Sequence, residues 1–188
     1  MKIVAICGLK GTGKDTVATI ISDILNENDI PCRKLQFGDY AKHIICQAFE
    51  LRDDREYNQF IRSVITLPNG RERTGKLIAK CIQAKLRQGN ASQFIDKIED
   101  AIIEYKGYHP DLYDHTVFLI TDLRFKEELK WCKKNNVTIL KVKREGGYYD
   151  PLADEIEIDD IFANAIIHND GTEADLKKTI LRELPGWL

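Results

Sequence analysis

Apolar residues recur along this chain in two rhythms. Five short runs rich in branched residues, at 2–7, 33–37, 117–121, 137–143 and 165–168, are bounded by polar or glycine-containing turns and predict β-strands. Behind the first run, Val17, Ile20, Ile21, Ile24 and Leu25 repeat at helical spacing, which predicts an amphipathic helix over about 15–28. Leu176, Ile180, Leu181 and Leu184 form a second such face. Thr172-Glu173-Ala174-Asp175 opens that helix in the manner of a capping box, and Pro185 closes it. Strands alternating with helices are the signature of βαβ units, so the expected fold is α/β, three layers around a five-stranded parallel sheet.

From 40 to 105 the rhythm is mainly helical, broken at Leu67-Pro68-Asn69-Gly70, with no strand expected between the helices. This predicts a helical insertion beside the sheet, over about 40–110. No repeat, low-complexity tract or linker interrupts the chain, so residues 1–188 are expected to form a single domain.

Composition narrows the classes. The 188 residues are 43% hydrophobic and 31% charged, which is ordinary globular usage and excludes a disordered or fibrous chain. Lys and Arg number 28 against 30 Asp and Glu, so the general cationic excess of a nucleic-acid-binding domain is missing. The near-neutral total hides two unlike regions. Residues 62–87 carry seven cations against Glu72 alone, whereas 145–175 carry ten acids and no Lys or Arg. The run 3–7 is too short for a signal-peptide core, and nowhere do about 18 apolar residues follow one another, so the reading is soluble, cytoplasmic and without a membrane partner. Five cysteines without a C-x-x-C pair read as reduced thiols, and four scattered histidines offer no zinc-binding spacing.

The candidate chemistry begins directly after the first strand. Gly8-Leu9-Lys10-Gly11-Thr12-Gly13-Lys14 matches G-x-x-x-x-G-K between a strand and a helix. Glycines let the backbone curl so that successive N–H groups face a phosphate, the helix N-terminus adds positive potential, and Lys14 reaches the outer phosphates. Asp15 stands where a hydroxyl usually meets Mg²⁺, and Thr16 follows it. A carboxylate there either holds the ion or serves only as a first-turn acid on the helix dipole.

The third apolar run ends in Asp122, the usual form of a carboxylate facing the phosphate loop and its metal. Ligands of open parallel sheets bind outside the strands' carboxyl ends, so Asp122 and the loop after Cys7 are expected to share that edge. Arg124 either reaches over the same phosphates or forms an ordinary helix-start ion pair with Glu127 or Glu128. Arg144 leaves the next strand on the same edge, as a second phosphate-neutralising candidate or a solvated arginine.

Residues 8–16 read G-L-K-G-T-G-K-D-T and 122–125 read D-L-R-F, followed by Glu127-Glu128-Leu129. With Phe37 to Lys42 as F-x-x-x-x-K and Asn169-Asp170-Gly171-Thr172 as a late N-D-G-T, this order resembles the bacteriophage deoxynucleoside monophosphate kinases, within the P-loop nucleoside monophosphate kinase fold. The resemblance spans 3–182; Glu155 is a looser match to the family's glutamate before the last strand. It implies transfer of the ATP γ-phosphoryl group to a deoxynucleoside monophosphate with Mg²⁺, in the cytoplasm, or the host cytoplasm for a viral chain. By the same resemblance Gly8, Lys10, Gly11, Thr12, Gly13, Lys14, Asp15 and Thr16 would bind ATP, with Asn169 and Gly171 near the donor base. Lys14, Asp122, Arg124 and Arg144 would be catalytic, and Asp15, Thr16 and Asp122 would organise the metal. Asp39, Lys42, Arg62, Arg73 and Glu155 would meet the acceptor, and a lid would span about 144–160. Stretch 71–89 follows the family only loosely, which leaves the acceptor base open. Among Arg62, Arg71, Arg73 and Arg87 only one or two are expected to point inward, and most of Phe37, Tyr40, Phe60 and Phe94 are expected in the core.

Three other readings remain. One is a kinase for another small phosphorylated acceptor, because animal phosphomevalonate kinases share the G-K-D form. Another is a nucleotide-binding switch without an acceptor, against which stands the lack of an N-K-x-D string. A nucleic-acid-end kinase would use the basic helical stretch. The expected partners are small nucleotides, with nucleic acid disfavoured and a homodimer compatible.

Overall fold

The five apolar runs pair into one parallel sheet. The computed structural model describes residues 1–148 and 162–188. In chain order the elements are β1 (Lys2–Cys7), α1 (Lys14–Glu27), β2 (Cys32–Leu35), α2 (Asp39–Ala48), α3 (Asp54–Arg62), β3 (Val64–Thr66), β4 (Glu72–Thr74) and α4 (Gly75–Asn90). They continue with α5 (Ser92–Tyr108), α6 (Pro110–Tyr113), β5 (Val117–Ile120), α7 (Lys126–Lys134), β6 (Thr138–Lys143), β7 (Ala165–His168) and α8 (Glu173–Glu183), closed by a 3-10 turn at Leu184–Gly186. Two compact units result, Met1–Phe37 with Ile98–Leu188, and Gly38–Lys97.

The first unit holds the sheet, in the order β2-β5-β1-β6-β7. Central β1 pairs in parallel with β5 (Ala5 beside Ile120) and β6 (Cys7 beside Lys141). A strand covered on both faces has no solvent side, and Val4, Ala5, Ile6 and Cys7 are at most 1% exposed. On one face Val17, Ile21 and Leu25 of α1 pack with Leu176 and Ile180 of α8 over Val4, Ile6 and Leu140. Elsewhere in this unit Phe37 meets Trp131 edge-on at 6.0 Å, and Trp131 Nε1 donates to Glu99 at 2.7 Å. Phe37 itself lies just beyond β2, two residues past the point where pairing stops. All five carboxyl ends therefore open onto one edge, which is where the loop 8–13 lies.

The second unit corrects one expectation. Two strands, β3 and β4, do separate its helices, pairing antiparallel with Ile65 opposite Arg73. The break at 67–70 is the hairpin turn: Leu67 N–H donates to Arg71 at 2.8 Å, and Gly70 takes φ +75°. Strands of three residues are too short to show a period of two, so the sequence shows the turn as a break between helices and leaves the strands unmarked. Gly75 starts α4 against α3, and a Cβ there would lie 2.0 Å from the Phe60 carbonyl oxygen. Ile45, Phe60 and Ala79 form this unit's small core. Among the described residues no helix is long and apolar enough to cross a membrane. Glu155 and most of the expected lid lie outside the described residues.

Candidate functional site

The loop after β1 is shaped by close approach. Gly8 has φ +153°, and a Cβ on it would lie 2.5 Å from the Val142 carbonyl oxygen of β6. Backbone cannot give way as a side-chain tip can. Gly8→Ala should therefore destabilise the protein by about 2–4 kcal/mol, through strain and overpacking, read as a lowered urea midpoint at unchanged slope.

Gly13 N-caps α1 in the left-handed region at φ +87°, and because it has no side chain the first-turn amides carry no side-chain cap. Thr12 is buried, its hydroxyl donating to the Leu9 carbonyl at 2.9 Å. From β7's end, the buried Asn169 amide donates to the Thr12 carbonyl at 2.9 Å. A Cβ on Gly13 would meet that Asn169 nitrogen at 2.3 Å, so the two residues fit only as a pair. Lys14 Nζ donates to the carbonyls of Gly8 and Leu9, each at 2.8 Å, which holds the ammonium against the loop. Thr16 and Asp15 lie exposed in the same first turn.

A strap follows β6. Lys10 and Tyr148 exchange backbone hydrogen bonds at 3.0 and 3.1 Å, and the Lys10 ammonium lies 5.4 Å from the Tyr148 ring centroid. Gly147 presses on Thr12, where a Cβ would come within 2.7 Å of the methyl. Arg144 thus belongs to a segment bonded directly to the phosphate loop. It lines, with Thr12, Lys141 and His168, a cavity of about 310 Å³. Asp170 fixes the strap's base by accepting from Glu145 N–H at 2.9 Å, and Gly171 follows in the same turn.

At the end of β5, Asp122 accepts the Phe37 N–H at 2.8 Å, and Leu123 N–H donates to Ile6 of β1 at 3.2 Å. The next two amides, of Arg124 and Phe125, donate to Glu128 Oε2 at 2.8 and 3.0 Å. Glu128 is fully buried, so one carboxylate sets the course of the D-L-R-F segment. Burial pushes the Cys7 thiol up to about 11 in spite of nearby Lys141 and Lys14, and Cys132 up to about 12, with Glu128 adding to the effect. Neither thiol is a nucleophile near neutral pH.

Sequence reasoning missed two residues of this neighbourhood. Lys141 is 5% exposed in the middle of an apolar strand, and a charge at that position of T-I-L-K-V-K was its signal. Glu128 was legible only as an ion-pair candidate, and its two backbone bonds depend on the fold.

The expected acceptor residues of the second unit divide between elements, with Asp39 and Lys42 near one another on α2, Arg62 on α3 and Arg73 on β4. Lys42 pairs with Asp54 at 2.7 Å; burial opposes its charge, but Asp54 outweighs this and holds its pKa above the usual value. Asp39 lies in the first turn of α2. Arg62 lines an open recess with Arg55 on α3, whereas Arg73 lines a separate cavity with α4. Arg87 stacks on Phe94 at 3.8 Å, and Tyr40 meets Phe94 edge-on at 5.2 Å. Phe37 and Phe60 are core residues.

A five-stranded parallel sheet in this order, with a glycine loop leading from the central strand into a helix, defines a P-loop kinase fold. Among solved structures the chain is similar to dephospho-CoA kinase from Campylobacter jejuni, at 14% identity over 100% of both chains with a TM-score of 0.50. It also matches APS kinase from Mycobacterium tuberculosis in complex with AMPPNP and APS, at 12% identity over 98% of this chain and 97% of that one, TM-score 0.48. Shikimate kinase from Aquifex aeolicus matches at 16% identity over 99% and 97%, TM-score 0.42. No family model and no curated protein matches the chain.

Proposed function

We propose that this protein transfers the γ-phosphoryl group of ATP to a deoxynucleoside monophosphate, giving the diphosphate and ADP. The observation that carries the reading is the loop 8–14, curled by left-handed glycines, with the Lys14 ammonium held against it at the carboxyl edge of the sheet. The uncapped first-turn amides and Lys14 would bind the donor phosphates. Asn169's buried amide, bonded to the Thr12 carbonyl, helps to fix the loop's curvature, and Asn169 and Gly171 remain the residues proposed near the donor base.

Asp122, Asp15 and Thr16 supply hard oxygens of the kind Mg²⁺ accepts; the ion needs only one or two carboxylates beside phosphate oxygens and water. Bound there, it would neutralise charge on the donor phosphates. Asp122 is suited to the task because the Phe37 N–H, which donates to Oδ1, helps to fix the carboxyl group. Arg124, on a segment locked by Glu128, and Arg144, on the strap, would steady charge on the transferred group. Such transfer depends on positioning and charge, so the unreactive buried thiols of Cys7 and Cys132 and the scattered histidines are no obstacle. Asp39, Lys42, Arg62, Arg73 and Glu155 are the acceptor residues the resemblance offers, Arg73 among them lining a cavity along α4, and the partners proposed are small nucleotides, with a homodimer compatible.

The test is incubation with Mg-ATP and each deoxynucleoside or ribonucleoside monophosphate, measuring ADP and diphosphate. Turnover that depends on a deoxynucleoside monophosphate is expected. ADP formation indifferent to every acceptor would instead mark a nucleotide-binding switch, and silence with bound ATP would move the acceptor to another phosphorylated metabolite.

A further inference from the structure

The helical unit contains a cavity of about 780 Å³, within the size range of small-ligand sites. Its floor is aliphatic. Leu77, Ile78, Ile82 and Leu86 line it from two adjacent rows of α4, each half-buried, and no Asp or Glu is among the lining residues. Its polar groups are Arg73, Lys85, Asn90 and Gln93.

The hydrogen bonding of these four has one sense. Asn90 Oδ1 accepts from Ser92 N–H and Oγ at 3.2 and 2.9 Å. Gln93 Oε1 accepts the Tyr40 hydroxyl. With both amide oxygens engaged, each side chain offers its NH₂ group. Arg73 directs Nη1 to the Glu72 carbonyl at 2.8 Å and keeps further donors, and Lys85 brings donors only. A donor-lined, cationic rim over an apolar floor matches a ligand with a flat apolar body, carbonyl oxygens on its edge and an anionic group.

We infer that this cavity seats the acceptor nucleotide and selects a base edged with carbonyl oxygens over one bearing an exocyclic amine. This rests on the proposed function. The base and sugar lie along the Leu77, Ile78, Ile82 and Leu86 floor with the base toward Leu86, where its carbonyls meet the Asn90 and Gln93 amides, and the phosphate meets Arg73 and Lys85. Deoxyuridine and deoxycytidine monophosphates make the sharpest comparison, because they share the sugar, the phosphate and the C2 carbonyl and differ at C4, a carbonyl against an amine, and in the proton that uracil carries on the adjacent N3. An amine facing a donor amide leaves both without a partner, a penalty equal to about ten- to hundredfold in affinity.

Cys81 is exposed and lines the cavity, so the full-length protein carries its own reporter. Alkylation of Cys81 by iodoacetamide, followed by peptide mapping without ATP present, reads occupancy directly. Deoxyuridine or thymidine monophosphate at roughly ten times its dissociation constant should slow the reaction about tenfold. Deoxycytidine monophosphate should need about ten- to hundredfold more. Gln93→Glu, checked for an unchanged melting temperature, replaces a donor by an acceptor and should abolish or reverse that preference in both labelling and transfer.

The outcomes separate the two readings. Phosphoryl transfer without protection of Cys81 by any monophosphate overturns the cavity as the acceptor's seat and leaves the proposed function standing. Protection without transfer keeps the cavity and removes the kinase reading. Equal protection by the deoxyuridine and deoxycytidine nucleotides overturns the selection, and protection that follows protein concentration alone assigns the face to a second copy of the chain.

Discussion

Lys14→Ala should lower phosphoryl transfer by about a thousandfold or more while leaving the fold in place, because charge stabilisation at the migrating phosphate is the main catalytic resource of such a site. The two effects separate because of where the ammonium lies. It reaches the carbonyls of Gly8 and Leu9 across the loop, not into the core around Val17 and Ile21. Losing those bonds at a half-buried position should cost only about 1 kcal/mol of stability. The loop itself persists, since Thr12, Asn169 and the close packing of Gly8 on Val142 shape it without Lys14. Steady-state ADP formation with the preferred monophosphate, thermal melting and displacement of a fluorescent ATP analogue check the three parts. More than a tenth of the parent turnover in a folded variant would remove the loop from the reaction.

The sheet was legible because its strands are covered on both faces and so read as continuous apolar runs. Predicted strands 137–143 and 165–168 differ from β6 and β7 by at most one residue, and the helix predicted over 15–28 is Lys14–Glu27. The run 33–37 was over-extended. Phe37 is apolar because it packs on Trp131, and pairing stops at Leu35. Periodicity reports burial and cannot tell a strand's last residues from a core side chain just beyond them.

In the site, the glycines and lysine of the loop were legible because their chemistry is local: left-handed backbone and a helix start. What stayed hidden is held by distant contacts. Asn169 reaches the loop across 157 positions of sequence, and no string announces that its amide faces Thr12. Nor does composition tell that Lys42 is engaged by Asp54, or that Asn90 and Gln93 have their oxygens tied and their amide nitrogens on offer. The basic stretch 62–87 was visible as charge, but the partition of its arginines between an α3 recess, the α4 cavity and the Phe94 face follows from the helical packing.

Glu128 is the residue whose loss should couple stability to turnover most directly. Its fully buried carboxylate accepts the consecutive amides of Arg124 and Phe125, and those residues continue the segment that begins with Asp122. Glu128→Ala leaves two N–H groups in the interior without that acceptor, an expected cost of about 3 kcal/mol. It also frees the backbone that aims Arg124 and Asp122, and a displacement of about 1 Å there is enough for roughly a hundredfold loss of turnover. Glu128→Gln keeps an oxygen in the same place and should retain activity within about tenfold. The pattern distinguishes positioning from simple destabilisation: at a temperature well below both melting transitions, the Ala variant should bind ATP normally and show its defect in kcat. An Ala variant that is folded and as active as Gln would mean that Leu123's bond to Ile6 and Asp122's bond from Phe37 hold the segment by themselves.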